Sequence, residues 1–241
     1  MHPARKMSFD DLLDGLRKAR SEGFVSEVTC AETGLKLFCY SKSCVFDRAW
    51  NDHTMLARGL VIDEASKRVV ATPFPKFFNV GERGESIPDL PFEVFEKLDG
   101  SLIVLFWHDG QWRTATKGAF ASEQAKWARE RIASEDLSAL DRASTYLCEA
   151  IYPANKIVVD YGFSALVLLA AYNGHGIEYP FEALRTLGEQ LGWPVAKRYE
   201  VDSVSDLLAQ AKTLPLSEEG FVLGDVILCV PRLKIYDGAA S

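Results

Sequence analysis

The feature that most constrains this chain is a long succession of short apolar segments with β character, separated by turns and broken only at irregular intervals by helical stretches. Val25–Cys30, Leu35–Tyr40, Leu60–Asp63 and Arg68–Thr72 read as strands, being rich in β-branched and aromatic residues and bounded by Gly, Asp or Ser. The pattern continues through Glu93–Lys97, Leu102–Trp107, Trp112–Thr116, Thr145–Ala150, Ile157–Asp160, Ala165–Ala171 and Gly176–Tyr179. Phe221–Leu223, Val226–Val230 and Leu233–Tyr236 close it. Helices are expected from a Ser8 cap to about Gly23, over Ser122–Ser134 with Ala125, Ala128 and Ile132 on one face, and over Phe181–Leu191 and Val204–Ala211. Neighbouring strands joined by short turns pair antiparallel, whereas a parallel sheet needs a crossover between successive strands. The fold class is therefore α+β, with antiparallel sheets and peripheral helices, and not a doubly wound parallel fold. Asp99-Gly100, between two apolar runs, reads as the turn of one such hairpin.

With 241 residues, 48% of them apolar and 25% charged, the chain has the means to bury a sizeable core. No apolar run reaches the ~20 residues that span a bilayer, and Met1 to Asp10 lacks the apolar centre of a secretory signal. No membrane association is expected. The five cysteines are odd in number and form no Cys-x-x-Cys pair, which argues against a disulfide framework or zinc site and suits a reducing cytoplasm. The four histidines are scattered, pair with no Ser or Cys nucleophile and read as surface residues. No Walker-type Gly-rich loop is present. The formal net charge of −7 leaves polyanion binding possible only where Lys and Arg gather at one cleft.

Chemistry concentrates around Glu96-Lys97-Leu98-Asp99-Gly100-Ser101. A lysine at a strand end beside a Gly turn can be held rigidly with backbone close to a phosphate, although the same pattern also suits a solvated flanking charge. A free lysine has a pKa of about 10.4, so a nucleophilic role demands neighbours that favour the neutral amine. Glu149 and Glu219 each stand in an apolar β-like segment, where an unpaired carboxylate is costly to bury. A hard divalent cation would resolve that cost; a strand-edge position facing water, or Glu218 in place of Glu219, are the alternatives. Arg58 offers a guanidinium fork for phosphate oxygens. Side chains alternate along an extended segment, so Phe77 and Phe78 face opposite ways, one to a cleft and one to the interior.

Lys97-Leu98-Asp99-Gly100-Ser101 resembles the nucleotidyl-acceptor motif of the covalent nucleotidyltransferases, which include the ATP-dependent ligases and mRNA capping enzymes. Ala57-Arg58-Gly59-Leu60-Val61, Pro75-Lys76-Phe77-Phe78-Asn79, Thr116-Lys117-Gly118, Cys148-Glu149-Ala150, the run from Asn155 to Tyr161, and Glu219-Gly220-Phe221-Val222 extend the match in order. Together they are similar to the RNA ligases of the T4 RNA ligase 1 type over roughly residues 50 to 236.

The resemblance implies two antiparallel sheets flanking a nucleotide cleft, with residues 1–241 forming a single adenylyltransferase domain that lacks a C-terminal specificity domain. It implies Lys97 as the nucleophile that takes AMP from ATP with Mg2+ or Mn2+. Arg58 would contact the leaving phosphates and Lys76 help bind the triphosphate, Phe78 would stack on adenine, and Asp99, Gly100, Ser101 and Lys117 would line the nucleotide. Glu149 and Glu219 would serve metal and nucleotide, and Lys234 would assist transfer. At the last motif, either Arg232 and Lys234 fill the family's lysine pair, or Lys234 and Tyr236 do. The implied activity is sealing of an RNA 5′-phosphate to a 3′-hydroxyl, with tRNA among the candidate substrates and no obligate protein partner. The setting would be the cytoplasm of a bacterial or phage-infected cell. Two other readings stay open: adenylylation of a non-nucleic-acid acceptor, which the acidic balance favours, and a nucleotide-binding module without turnover, for which Tyr236 is the clue.

Overall fold

The computed structural model describes residues 1–79, 92–155, 159–201, 203–211, 213, 220–225 and 233–235. Its strands form three four-stranded sheets, antiparallel throughout. The first holds β1 (Val25–Thr29), β2 (Lys36–Tyr40), β3 (Arg58–Asp63) and β4 (Arg68–Ala71) in chain order. Two more strands, β5 (Phe92–Glu96) and β6 (Ser101–His108), go to different sheets. β6 lies with β7 (Gln111–Thr116), β8 (Thr145–Ile151) and β9 (Ala165–Tyr172) in the order β7-β6-β8-β9. β5 lies with β10 (Arg198–Tyr199), β11 (Phe221–Asp225) and β12 (Leu233–Ile235) in the order β10-β5-β11-β12.

Burial explains the layering. Helix α1 (Phe9–Ser21) is capped by the Ser8 hydroxyl and packs Leu12, Leu13 and Leu16 against Phe38, Leu60 and Ile62 on one face of the first sheet. The other face, through Leu37, Val61 and Ala71, meets Val104, Phe106 and Leu147 of the β6 sheet, with Phe77 packed in the same core. That sheet's far side, through Ile103, Tyr146 and Cys148, is covered by α3 (Glu123–Ile132) and α4 (Phe181–Leu191). Every residue of β8 is buried because both faces of the strand are covered. A short α2 (Lys42–Phe46), unmarked in the sequence pattern, links the edge of β2 to β3. The β5 sheet has a smaller core of its own, where Val94, Phe221 and Leu223 meet Leu207 and Ala211 of α5 (Val204–Ala211).

The expected hairpin around Asp99-Gly100 is corrected. β5 pairs with β10 and β11, and β6 with β7 and β8, so residues 97–100 cross from one sheet to another. Neither Asp99 nor Gly100 has the positive φ that a type I′ or II′ hairpin turn would require. The need for glycine at Gly100 is steric: a Cβ there would sit 2.5 Å from the Ala150 carbonyl oxygen. Gly176–Tyr179 makes only a bridge, Glu178 to Tyr172, and residues 159 and 160 are not in a strand. The expected Val226–Val230 strand lies outside the described residues. Among the described residues no helix is long and apolar enough to cross a membrane.

Candidate active site

A cleft of about 520 Å³ opens where the three sheets meet. Arg58 enters it from β3, Lys97 from the end of β5, Lys117 from the end of β7 and Glu149 from β8. Asp99, Gly100 and Ser101 line it from the crossing segment, and Phe77 and Gln124 are among the other residues of its wall. Among the described residues Cys30, Cys39, Cys44 and Cys148 are free thiols.

Backbone bonds set the position of Lys97. The Glu96 N–H donates to the Lys197 carbonyl at 2.8 Å and the Lys97 N–H to the Gly220 carbonyl at 2.9 Å. The chain then leaves that sheet. Asp99, 5% exposed, donates its N–H to the Tyr161 hydroxyl at 2.8 Å, and its Oδ2 accepts the Val159 N–H at 2.7 Å. Ser101 Oγ donates to Asn155 Oδ1 at 3.0 Å, and Asn155 Nδ2 to the Ala150 carbonyl at 2.8 Å. Gln124 Nε2 reaches the same Asn155 oxygen at 3.4 Å. Ser101 and Gln124 thus share one polar support beneath the cleft.

Glu149 owes its direction to strand alternation. Tyr146, Cys148 and Ala150 of β8 belong to the core under α3 and α4, and Leu147 to the core facing the first sheet. Glu149, two residues beyond Leu147, follows it onto the inner face at the point where the layers part. Burial pushes its carboxyl up to about 7, against the pull of Lys97, Arg58 and a hydrogen bond from the Gly100 N–H.

Arg58 and Lys117 are brought together by close approach of two sheets. Gly59 has φ +97°, and a Cβ on it would lie 3.2 Å from the Lys117 Cα. The Arg58 guanidinium sits 4.8 Å over the Phe77 ring and bonds to Tyr40. Burial draws it below the usual arginine range, with Tyr40 and Glu149 opposing. Its Nη1 is buried with no hydrogen-bond partner among the described residues, a vacancy that an anionic oxygen would fill. Lys117 Nζ lies 5.1 Å over the Tyr40 ring.

Three placements differ from expectation. Phe77, and not Phe78, lines the cleft; Phe78 is 2% exposed and meets Trp50 edge to face at 5.4 Å. Alternation along the segment holds, with the opposite assignment. Lys76 also lies off the lining: its Nζ is 3.9 Å over the Phe78 ring and donates to the Phe77 carbonyl at 2.6 Å. His2, expected at the surface, is buried, because Nε2 bonds the Pro73 carbonyl at 2.7 Å and Nδ1 accepts the Ala4 N–H at 3.2 Å. Glu219, Arg232 and Tyr236 lie outside the described residues. Lys234 is placed by register alone, opposite Val222 on β11. Tyr40, Gln124 and Tyr161 carried no signal of their own in the sequence, though Tyr161 ends one of the matching motifs.

Two of the cleft's properties bear on what it holds. Among the described residues no group of three or more His, Cys, Asp or Glu side chains could cage a metal. Mg2+, which keeps few protein ligands and shares substrate phosphates, fits a buried Glu149 beside Arg58 and Lys97. A polyphosphate fits the unpartnered Arg58 nitrogen.

A family model described as RNA ligase matches residues 56–229. A protein of Autographa californica nuclear polyhedrosis virus that carries the name of a bifunctional polynucleotide kinase/RNA ligase is 29% identical over 219 residues, covering 77% of this chain and 31% of that one. An RNA ligase of Rhodothermus phage RM378 is 24% identical over 210 residues, covering 67% and 46%. The chain therefore spans less than half the length of these relatives. The fold is that of a solved archaeal ATP-dependent RNA ligase, with a TM-score of 0.66 at 19% identity over 95% of this chain and 64% of that one. The matched family model covers most of the sequence, and the chain belongs to the RNA ligase family.

Proposed function

We propose that the protein is an ATP-dependent RNA ligase whose Lys97 carries AMP between ATP and an RNA end. One observation supports this above the others: Lys97 stands on the segment between two sheets, in the same cleft as Arg58, Lys117 and Glu149. In the first step the Lys97 Nζ lone pair attacks the α-phosphorus. The bond to the pyrophosphate oxygen breaks, and the amine gives up a proton. In the second, a 5′-phosphate oxygen of RNA attacks that phosphorus, the P–N bond breaks, and Lys97 regains a proton. In the third, the RNA 3′-hydroxyl attacks the activated 5′-phosphate and AMP leaves.

Each step is phosphoryl transfer, in which positioning and charge stabilisation dominate. Arg58 and Lys117 meet phosphate charge, and both cations favour the neutral form of the Lys97 amine. Glu149, with Glu219, would hold Mg2+ or Mn2+, which supplies charge neutralisation on the phosphates when bound. The aromatic contact to the base falls to Phe77, which faces the cleft, and Lys76 acts from just outside it. Asp99, Gly100 and Ser101 position the crossing segment, while Lys234, with Arg232 or Tyr236, assists transfer. Residues 1–241 carry the adenylylation chemistry. RNA with 5′-phosphate and 3′-hydroxyl ends, tRNA among them, is the substrate, and a reducing cytoplasm, bacterial or phage-infected, is the setting.

The test is incubation with α-labelled ATP, Mg2+ and a 5′-phosphorylated RNA strand. Label on wild-type protein, its loss in Lys97→Ala or with EDTA, and a sealed or circular RNA are expected. Label that persists in Lys97→Ala overturns the acceptor. Labelled protein without RNA product favours a non-nucleic-acid acceptor, and absence of label a binding module.

A further inference from the structure

Among the described residues the crossing segment joins no strand ladder of its own. Between the last β5 bond, at Lys97, and the first β6 residue, Ser101, its backbone is tied by isolated contacts. Asp99 is buried, and an amide left unsatisfied in such a place costs about 1–3 kcal/mol. That amide donates to Tyr161 Oη at 2.8 Å. Two residues earlier on the partner segment, the Val159 N–H donates to the Asp99 carboxylate at 2.7 Å, a short charge-assisted bond. Leu98 and Tyr161 pack on the same small cluster of Ile151, Ala165 and Val167.

We infer that Tyr161 is a positioning residue for the Lys97 nucleophile, its hydroxyl pinning the Asp99 amide so that the amine meets the α-phosphorus in line. The inference rests on the reading of Lys97 as the AMP acceptor. Tyr161 is not among the residues lining the nucleotide cleft; it lines a separate pocket of about 20 Å³ that Asp99 also borders. It therefore acts through the backbone and not on substrate. Burial pushes its phenol up to about 12, so the contact keeps one protonation state across neutral pH. In-line displacement needs the reacting atoms about 3–3.5 Å apart, and a misplacement of about 1 Å can cost on the order of a hundredfold in rate. Losing the Tyr161 bond alone should have a smaller effect.

Tyr161→Phe keeps the ring and removes only the oxygen. In rapid-quench adenylylation with α-labelled ATP and Mg2+, the maximal rate should fall roughly tenfold while half-saturating ATP stays within about twofold. The melting temperature should stay within about 2 °C, and exchange of the Asp99 amide, measured without nucleotide, should speed up about tenfold. An unchanged maximal rate, a loss confined to half-saturating ATP, or a large drop in melting temperature would each overturn the assignment. Failure of the wild-type protein to label would instead sink the reading of Lys97, and Asp99 exchange would still report on the contact.

Discussion

Gly100 and Gly118 both follow a charged cleft residue closely, yet they answer to different constraints. A methyl group on Gly100 would meet the Ala150 oxygen at 2.5 Å and Glu149 Cγ at 3.1 Å, whereas on Gly118 its nearest neighbour would be Cys39 Sγ at 3.9 Å. Gly100→Ala should therefore destabilise the protein by about 1–3 kcal/mol, as overpacking does, and Gly118→Ala by less than about 0.5 kcal/mol. Urea denaturation of the two variants decides it, and equal midpoints would refute the close packing at Gly100. Part of the site was legible at this scale. Lys97, Arg58, Lys117 and Glu149 lie in motifs that announce themselves and share one cleft. Alternation separated Phe77 from Phe78 without saying which faces inward, because that depends on how the segment docks on Trp50. Tyr161 was unreadable as a partner of Asp99, since no local pattern links residues so far apart in the chain.

Among elements, the strands were the easiest to foresee and their partners the hardest. The pattern of an apolar run, Asp-Gly and a second apolar run is the same whether the second strand folds back or enters a new sheet. The choice is made by β10 and β11, from the far end of the chain, which occupy both edges of β5. Helix α3 shows the opposite case, being marked by the helical spacing of its own Ala125, Ala128 and Ile132. The Ser122 hydroxyl accepts the Ala125 N–H at 3.1 Å and also lies 3.3 Å from Thr116 Oγ1, at the end of the strand that delivers Lys117. Ser122→Ala should cost about 1 kcal/mol, the usual worth of such a cap. An unchanged urea midpoint would show that the helix start is held by its packing alone.

For the molecule as a whole, a net charge of −7 coexists with a cleft that gathers Arg58, Lys97 and Lys117. Under the proposed function, salt should therefore act on RNA binding through a few local cations. Stability should follow pH through His2, whose ring is neutral when folded. Burial holds it at about 4, against about 6.5 in an unfolded chain. Between those values the unfolded state binds more protons. The contribution is thus complete above about pH 6.5 and lost as pH falls towards 4, a change of roughly 3 kcal/mol. His2→Gln, which retains a donor for the Pro73 carbonyl, should flatten that part of the urea-midpoint profile; parallel profiles would remove His2 as the cause. Lys97, the proposed AMP acceptor, hangs on a bridge between two separate foundations: a broad sandwich behind β6 and a small footing of Val94, Leu207 and Phe221 behind β5. Damage to that lesser footing would spoil the aim of the lysine long before the larger structure gave way, so the protein can lose its reaction while keeping its shape.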